Sequence, residues 1–234
     1  MKSLHRPVYE RRLRVLVDLV LPHIREDDRV LDVGCGNGTL GRAIMDDPRC
    51  PKGVVVEGLE RVPRGGEPIT VHAYPEGEAG KRLPFSDDSY DVVIVADVLH
   101  HEPEEDRLIA ECARVARRFV VIKDHQVKGV LAQRRIALMD WAANAPYGVP
   151  CLYRYNSPRQ WREKLGRLGL EPVAHHDGIN LYPVGWNLVF GRGLQYMSVL
   201  RVPDAGVGAA LDAPSDSLSA EARAPRDGRG NDRA

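Results

Sequence analysis

The sequence predicts an α/β fold: a Rossmann-like, doubly wound and mainly parallel seven-stranded sheet, with helices on both faces and an antiparallel last strand. Two observations predict this class. Short runs rich in Val and Ile alternate along the chain with segments of helical periodicity, and the runs are apolar nearly throughout. Strands of that kind are buried on both faces, as in parallel sheets covered by helices. Ligands of such folds bind beyond the carboxyl ends of the strands, so the residues after each strand form the candidate site.

The first half of the chain supplies four of the predicted strands. A helix over 9–24 has its leucines and valines on one face, which indicates a helix packed on a core. Strands follow at 29–33, 53–57, 69–73 and 90–95, and a further helix runs from the glycine turn after 33 to about Met45.

The second half supplies three more strands. Helices are predicted over 104–116 and 127–143, separated by a strand at 119–122. Ser157 followed by Pro158 is a typical helix start, which predicts a helix to about Leu168. Strands at 170–175 and 186–190 close a domain of residues 1–202. Residues 203–234 have no aromatic residue and few large apolar ones, so we expect a disordered tail.

Composition excludes several classes of protein. Lys plus Arg and Asp plus Glu are equal at 33 each, so no net field favours a nucleic-acid partner. No apolar run approaches a membrane span, and the N-terminus lacks the apolar region of a signal peptide, so we predict a cytoplasmic protein without a membrane partner. The four cysteines have neither disulfide-framework nor metal-ligand spacing, so no metal is predicted.

The strongest local signal follows the first strand. Glycines at 34, 36 and 38 let the backbone turn tightly and approach a ligand, and the next helix points its N-terminal donors at it. Asp32 stands two residues before the first glycine. Glu57 lies 19 residues after Gly38, at the predicted end of the second strand, where a carboxylate can accept both hydroxyls of a ribose. Together these residues predict a nucleoside site.

A dinucleotide site is the main alternative, because residues 36–41 also satisfy G-x-G-x-x-G. Register argues against it. A pyrophosphate-binding loop has its first glycine directly after the strand, which is Gly34, and counted from there the last glycine of the pattern is replaced by Thr39. A nicotinamide-dependent oxidoreductase is therefore disfavoured.

The segments Asp32-Val-Gly-Cys-Gly-Asn-Gly38, Leu83-Pro-Phe-Ser-Asp-Asp-Ser-Tyr-Asp-Val-Val-Ile94 and Ala96-Asp-Val-Leu-His-His101 resemble the class I S-adenosylmethionine-dependent methyltransferases of the small-molecule branch. The resemblance implies S-adenosylmethionine as cofactor and methyl transfer as activity. It further implies that the loop cradles the methionine moiety, that Glu57 holds the ribose, and that Asp97 and Leu99 lie beside the cofactor. The implied cofactor residues are Asp32, Gly34, Cys35, Gly36, Gly38, Glu57, Asp97 and Leu99.

Histidines follow two of the central strands. His100 and His101 come after the fourth strand, and Asp124 and His125 after the fifth. A neutral imidazole is suited to remove a proton from the attacking group of an acceptor. We therefore predict His125 and His101 as catalytic bases, Asp124 as a substrate contact and His100 as mainly structural.

A loop over 141–156 is predicted to cover the acceptor. It is rich in aromatic and polar groups, which in loops often face ligands; the candidate contacts are Trp141, Asn144, Tyr147, Tyr153 and Tyr155. Packing of Trp141 and Tyr147 under the loop is the alternative. Asn144-Ala-Pro-Tyr147 is similar to a signature of DNA amino-methyltransferases, but that signature belongs after the fourth strand, so nucleic-acid methylation is disfavoured.

The sequence thus predicts a methyltransferase that acts on a small molecule by in-line displacement, chiefly by positioning the acceptor. Aromatic loop residues suit a phenol, quinone or other planar metabolite, and the choice among O, N, C and S centres stays open. A protein of the same fold that binds S-adenosylmethionine without transferring its methyl group is the alternative from another class.

Overall fold

The computed structural model describes residues 2–63, 65–75, 82–144, 151–182, 185, 187, 191 and 193–203. The predicted tail, except for residue 203, and the predicted acceptor contact Tyr147 lie outside these residues. Along the described part of the chain, no helix is both long and apolar enough to cross a membrane.

One seven-stranded sheet forms the centre of the fold, with strand order β3-β2-β1-β4-β5-β7-β6. The strands are β1 (Arg29–Val33), β2 (Val55–Glu60), β3 (Thr70–Ala73), β4 (Tyr90–Ala96), β5 (Ala116–His125), β6 (Glu171–Asp177) and β7 (Gln195–Arg201). All pairs from β3 to β5 are parallel, and β7 is antiparallel to both β5 and β6. The predicted fold class is confirmed.

Helix α1 (Lys2–Val20) precedes β1. Between strands, the helices whose bounds are described are α2 (Thr39–Asp46), α3 (Glu105–Val115), α4 (Ala132–Asn144) and α5 (Pro158–Arg167). Short 3-10 turns lie at Leu21–His23 and Leu99–His101. Ser157 caps α5 as predicted, since its side chain accepts from the N–H of Gln160 while the Gln160 side chain accepts from the N–H of Ser157.

Both faces of the sheet are covered by helices, which explains the apolar strands. On one face, Leu108 and Ile109 of α3 and Trp161 of α5 pack on the strands. On the other, the apolar stripe of α1 and Ile44 of α2 pack on Val30 and neighbouring strand residues. Burial on both sides therefore fixes the sheet as the rigid frame of the site.

The last strand of the sheet, β7, is Gln195–Arg201, which the sequence analysis did not predict. Of the strand predicted at 186–190, only residue 187 is among the described residues, and it is helical. Gln195 and Ser198 of β7 are fully buried among apolar residues. The Ser198 hydroxyl is satisfied by the carbonyl of Ala174, at 3.1 Å. Two polar residues in a seven-residue strand conceal its burial at the level of sequence.

Strand order reverses between β1 and β4, whose neighbours lie on opposite sides. Loops after these two strands diverge to opposite faces and leave a crevice at the carboxyl edge of the sheet. The glycine loop follows β1 and Asp97 follows β4, so the fold brings both predicted segments to that crevice.

Candidate functional site

The glycine loop is held in a conformation that requires glycine at three positions. Gly34, Gly36 and Gly38 have φ of 70°, 59° and 69°, in the left-handed region that other residues rarely adopt. A Cβ at Gly34 would lie only 2.4 Å from a methyl carbon of Val98, whereas a Cβ at Gly36 would meet nothing within 4 Å. The loop is thus tight toward β4 and open at its centre, as a backbone cradle for a ligand requires.

The predicted ribose ligand Glu57 does not end the second strand. It lies in the interior of β2, and its carboxylate accepts from the Tyr90 hydroxyl and faces Arg29 and His72, each at 3.2 Å. Burial opposes ionisation, but these neighbours together lower the pKa of Glu57. The prediction that Glu57 stands at the strand end is wrong, because β2 continues for three further residues.

Glu60 occupies that position instead. It is the last residue of β2, and its Oε2 accepts from the backbone N–H of Gly36 at 2.8 Å. The preceding Gly58 is needed for close packing, because a Cβ there would lie 2.4 Å from the Sγ of Cys35. A carboxylate beside the open centre of the glycine loop is placed to accept the hydroxyls of a ribose.

Asp32 and Cys35 lie beneath the loop. Burial raises the pKa of Asp32 to about 7; nearby Arg12 opposes this shift and Glu60 adds to it. Burial, with Asp32 and Glu60 nearby, raises the pKa of the Cys35 thiol to about 12. Cys35 is therefore a neutral packing residue here, whereas Asp32 is a carboxyl group poised to ionise beside a cation.

Asp97 follows β4 and joins two cations that the sequence did not single out. Its carboxylate pairs with the Nζ of Lys123 from β5 and with the guanidinium of Arg12 from α1. Its φ of 57° turns the chain sharply at the edge of the crevice. Burial opposes ionisation, but Lys123 and Arg12 hold the pKa of Asp97 well below its usual range. Leu99, two residues on, is buried.

A cluster of imidazoles and carboxylates lies next to Asp97 and its two cations. The Nδ1 of His100 lies 2.7 Å from Oδ1 of Asp124, and its Nε2 lies 3.6 Å from Oδ1 of Asp140 in α4. The Nε2 of His101 lies 3.8 Å from the same Asp140 oxygen, whose partner Oδ2 accepts from the Tyr155 hydroxyl at 2.6 Å. We call these five residues the histidine–carboxylate cluster.

The cluster changes the expected roles of two residues. Burial alone would lower the pKa of His100, but Asp124, Asp140 and Asp97 raise it to about 10. Asp124 is itself buried and accepts from the backbone N–H of His125, at 2.6 Å, besides binding His100. The sequence analysis predicted it as a substrate contact; in the structure its carboxylate binds donors of the protein, and its bond to His100 orients that ring.

His125 differs from its neighbours. It is the last residue of β5 and is buried, and its Nδ1 finds no hydrogen-bond partner in the part of the chain that the structure describes. Its Nε2 lies 3.9 Å from Asp97, and its ring packs 5.0 Å from His100 and 6.0 Å from Tyr155. Burial, with Lys123 nearby, lowers the pKa of His125 to about 4. The imidazole is therefore neutral near pH 7.

The segment predicted as an acceptor loop begins later than expected. Trp141 is a solvent-exposed residue of α4, so it does not pack under a loop, and Asn144 is the last residue of the same helix. Tyr153 is exposed, whereas Tyr155 reaches the cluster through Asp140 and the histidine rings. Tyr155 is thus the predicted acceptor contact that the structure brings to the site.

Sequence reasoning assigned no role to four residues of the site: Arg12, Glu60, Lys123 and Asp140. Glu60 had a usable signal, since Val55-Val-Glu-Gly-Leu-Glu60 continues the strand beyond Glu57. Arg12 and Asp140 had none, because they lie on helices and reach the crevice only through tertiary packing.

Comparison with known proteins finds similarity to methyltransferases. The sequence model of a family described as "Methyltransferase domain" matches residues 5–175. A ubiquinone biosynthesis O-methyltransferase of Agrobacterium fabrum is 22% identical over 76% of this chain and 73% of its own length. A 27-O-demethylrifamycin SV methyltransferase of Amycolatopsis mediterranei is 33% identical over 40% of this chain and 36% of its own.

Among solved structures, similarity extends to a Burkholderia thailandensis 1,6-didemethyltoxoflavin-N1-methyltransferase with bound 1,6-didemethyltoxoflavin and S-adenosylhomocysteine. Its TM-score is 0.56 at 18% identity, over 82% of this chain and 79% of that one. At this identity the similarity establishes the shared fold.

Proposed function

Because the chain belongs to the methyltransferase domain family and is a class I S-adenosylmethionine-dependent methyltransferase acting on a small molecule, we propose that it methylates a hydroxyl oxygen of a planar, aromatic acceptor. The acceptor lies at the carboxyl ends of β4 and β5, next to His125 and the histidine–carboxylate cluster.

One observation carries this proposal: the Nδ1 of His125 is buried and has no hydrogen-bond partner among the described residues. An unsatisfied polar atom in a buried position is costly, so native proteins place one where a ligand supplies the missing partner. A neutral imidazole nitrogen accepts a hydrogen bond from a hydroxyl. The nearby ring of Tyr155 offers a surface for an aromatic acceptor.

We propose that the cofactor is held by the glycine loop and the two carboxylates next to it. Gly36 and its neighbours Gly34, Cys35 and Gly38 cradle the methionine moiety, Asp32 neutralises its ammonium group, and Glu60, in place of Glu57, binds the ribose. Asp97 and Leu99 form the wall of the cofactor site next to β4.

Similarity to relatives supports an oxygen acceptor. One relative is a ubiquinone biosynthesis O-methyltransferase, and another is a 27-O-demethylrifamycin SV methyltransferase, whose name describes a substrate that lacks a methyl group on oxygen. The fold supports methylation of other atoms too, as the N1-methyltransferase neighbour illustrates. The site geometry together with these names favours a hydroxyl acceptor. The cytoplasmic location and the absence of a nucleic-acid partner stay predictions from the sequence.

S-adenosylmethionine supplies a methyl group that is activated by the positive charge on sulfur. The bound cofactor would supply this methyl group to the acceptor oxygen by in-line displacement, with the electron pair of the carbon–sulfur bond left on sulfur, and Nδ1 of His125 would accept the hydroxyl proton. The side chains hold the oxygen at reactive distance, which is the main source of rate enhancement in such a displacement. His101, the second predicted base, faces Asp140 beside the same position.

Transfer of a labelled methyl group to a panel of matched aromatic alcohols, amines and thiols tests the proposal. We expect label on the phenols. His125→Gln should lower turnover at least 100-fold, within the range for loss of a general base, and leave affinity for S-adenosylhomocysteine within twofold. His175→Gln, at an exposed histidine of β6, is the matched control. Label on amines or thiols alone, or full turnover by His125→Gln, contradicts the proposal.

A further inference from the structure

Three side-chain atoms of the histidine–carboxylate cluster converge on one point. The Nε2 atoms of His100 and His101 lie 3.6 and 3.8 Å from Oδ1 of Asp140, and all three residues present a ligand atom within 4.8 Å of the others. The two histidines are consecutive residues of a 3-10 turn, and their rings are stacked at a tilt with centroids 4.0 Å apart. The turn therefore directs both imidazoles to the same side.

These distances are longer than hydrogen bonds and close to those between ligands of a shared cation. First-row divalent cations bind imidazole nitrogen and carboxylate oxygen at about 2.0–2.2 Å, which separates neighbouring ligands in a tetrahedral site by roughly 3.4 Å. The observed separations from Asp140 are within half an ångström of this value. Both separations are therefore compatible with a cation shared by the three side chains.

The surroundings of the three atoms resemble the outer shell of a metal site. The other ring nitrogen of His100 lies 2.7 Å from Asp124, and the other oxygen of Asp140 accepts from the Tyr155 hydroxyl at 2.6 Å. Metal-binding histidines almost always donate their second N–H to a carboxylate or carbonyl, which orients the ring and increases its basicity. His100 and Asp140 thus have the supporting contacts that a cation-binding pair needs. Because the neighbouring carboxylates favour a protonated His100, a cation that binds its Nε2 displaces the proton there.

We propose that His100, His101 and Asp140 form a binding site for a divalent first-row transition-metal ion, with Asp124 and Tyr155 as orienting residues. Two imidazoles and one carboxylate are the ligand set preferred by zinc, iron, manganese and cobalt, whereas magnesium and calcium prefer oxygen ligands alone. Three protein ligands leave at least one coordination position for an exogenous oxygen. The sequence analysis predicted no metal.

The site goes beyond methyl transfer and has a consequence for it. A cation bound here would lie next to the ring of His125, which packs 5.0 Å from His100. An acceptor hydroxyl in the open coordination position would be polarised by the cation, which eases loss of its proton to His125. In the metal-bound protein His101 is then a ligand, and His125 alone is left as the base.

Metal binding is tested directly on the full-length protein, without any acceptor. After removal of metals with a chelator, we titrate with Zn²⁺ in a calorimeter and with Co²⁺ by visible absorption, which reports tetrahedral nitrogen and oxygen ligation. We expect one ion per chain with micromolar or tighter affinity. His101→Gln and Asp140→Asn should each weaken it at least 100-fold, and Tyr155→Phe about 10-fold.

His175→Gln is the matched control for adventitious binding at a surface histidine and should leave the titration unchanged. Circular dichroism checks that each variant is folded; His101 has a partly exposed side chain, so its replacement is the safer of the two ligand variants. Equal affinity in wild type and His101→Gln, or loss of binding in His175→Gln, overturns the proposal, and the cluster is then an ion-pair network around His100. Since the readout is binding, it is independent of whether the acceptor is a hydroxyl.

Discussion

Glu60 Oε2 accepts a hydrogen bond from the backbone N–H of Gly36 at 2.8 Å, which ties the end of β2 to the centre of the glycine loop. Glu57, three residues earlier in the same strand, is tied instead to Tyr90, His72 and Arg29. The two glutamates are alike in chemistry and differ in which neighbours they bind, so they form a matched pair for experiment.

Glu60→Gln is expected to weaken S-adenosylhomocysteine binding by about 1.5–3 kcal/mol, the range for hydrogen bonds to a charged group. Glu57→Gln is expected to leave that affinity within twofold, because its carboxylate binds other protein side chains. Isothermal titration calorimetry on both variants measures the difference. If Glu57→Gln is the variant that loses affinity, the ribose assignment returns to Glu57.

Asp97→Asn is expected to destabilise the protein by roughly 3 kcal/mol, because it leaves Lys123 and Arg12 without their shared carboxylate while Lys123 is almost fully buried. Asn tolerates the left-handed backbone of this position as well as Asp does, so the change isolates the charge. Urea unfolding of the protein without cofactor measures the loss.

Removing the buried cation as well provides the control. Asp97→Asn combined with Lys123→Met should recover part of the lost stability, since the uncompensated charge is gone. If the double variant is less stable than Asp97→Asn by the full effect of Lys123→Met alone, the pair contributes nothing and the burial argument fails.

The order of elements could be predicted from the sequence because the central strands β1, β4 and β5 each contain a short apolar run and helical patterns alternate with them. The position of β7 could not be predicted in this way, because Gln195 and Ser198 interrupt its apolar pattern although both are fully buried in the sheet. Their polar groups are accommodated by contacts that depend on tertiary structure, such as the Ser198 hydroxyl on Ala174. The local sequence pattern does not indicate such contacts.

The glycine loop could likewise be predicted, because its conformation is set by three neighbouring residues. Glu60 was missed because a glycine such as Gly58 usually indicates the end of a strand. In the structure Gly58 lies inside the strand and leaves room for the Cys35 side chain. The cluster of His100 and Asp140 joins residues 40 positions apart, on a turn and on a helix, so only the folded chain brings them together.

Ser157→Ala is expected to lower the free energy of unfolding by about 1 kcal/mol, since it removes the side-chain cap of α5. The helix carries Trp161, whose ring stacks on Tyr196 at 4.6 Å, so fraying at its start loosens the core on that face. Ser157→Asp keeps an N-terminal acceptor and should retain wild-type stability within a few tenths of a kcal/mol. Equal losses in both variants would show that another property of Ser157 matters.

Asp32→Asn is expected to change how stability depends on pH. Burial raises the pKa of Asp32 to about 7, whereas an unfolded aspartate titrates near 4, so between these values the folded protein holds a proton that the unfolded chain has released. Stability contributed by the protonated side chain is therefore present below about pH 4 and is lost as pH rises through 7. An asparagine has no proton to lose, so the stability of Asp32→Asn relative to wild type should increase from pH 5 to pH 8.

Urea unfolding at several pH values measures this slope, and Asp46→Asn, at an exposed carboxylate, corrects for the loss of one surface charge. A constant difference between Asp32→Asn and wild type across this range would mean that Asp32 is already ionised at pH 5 in the folded protein.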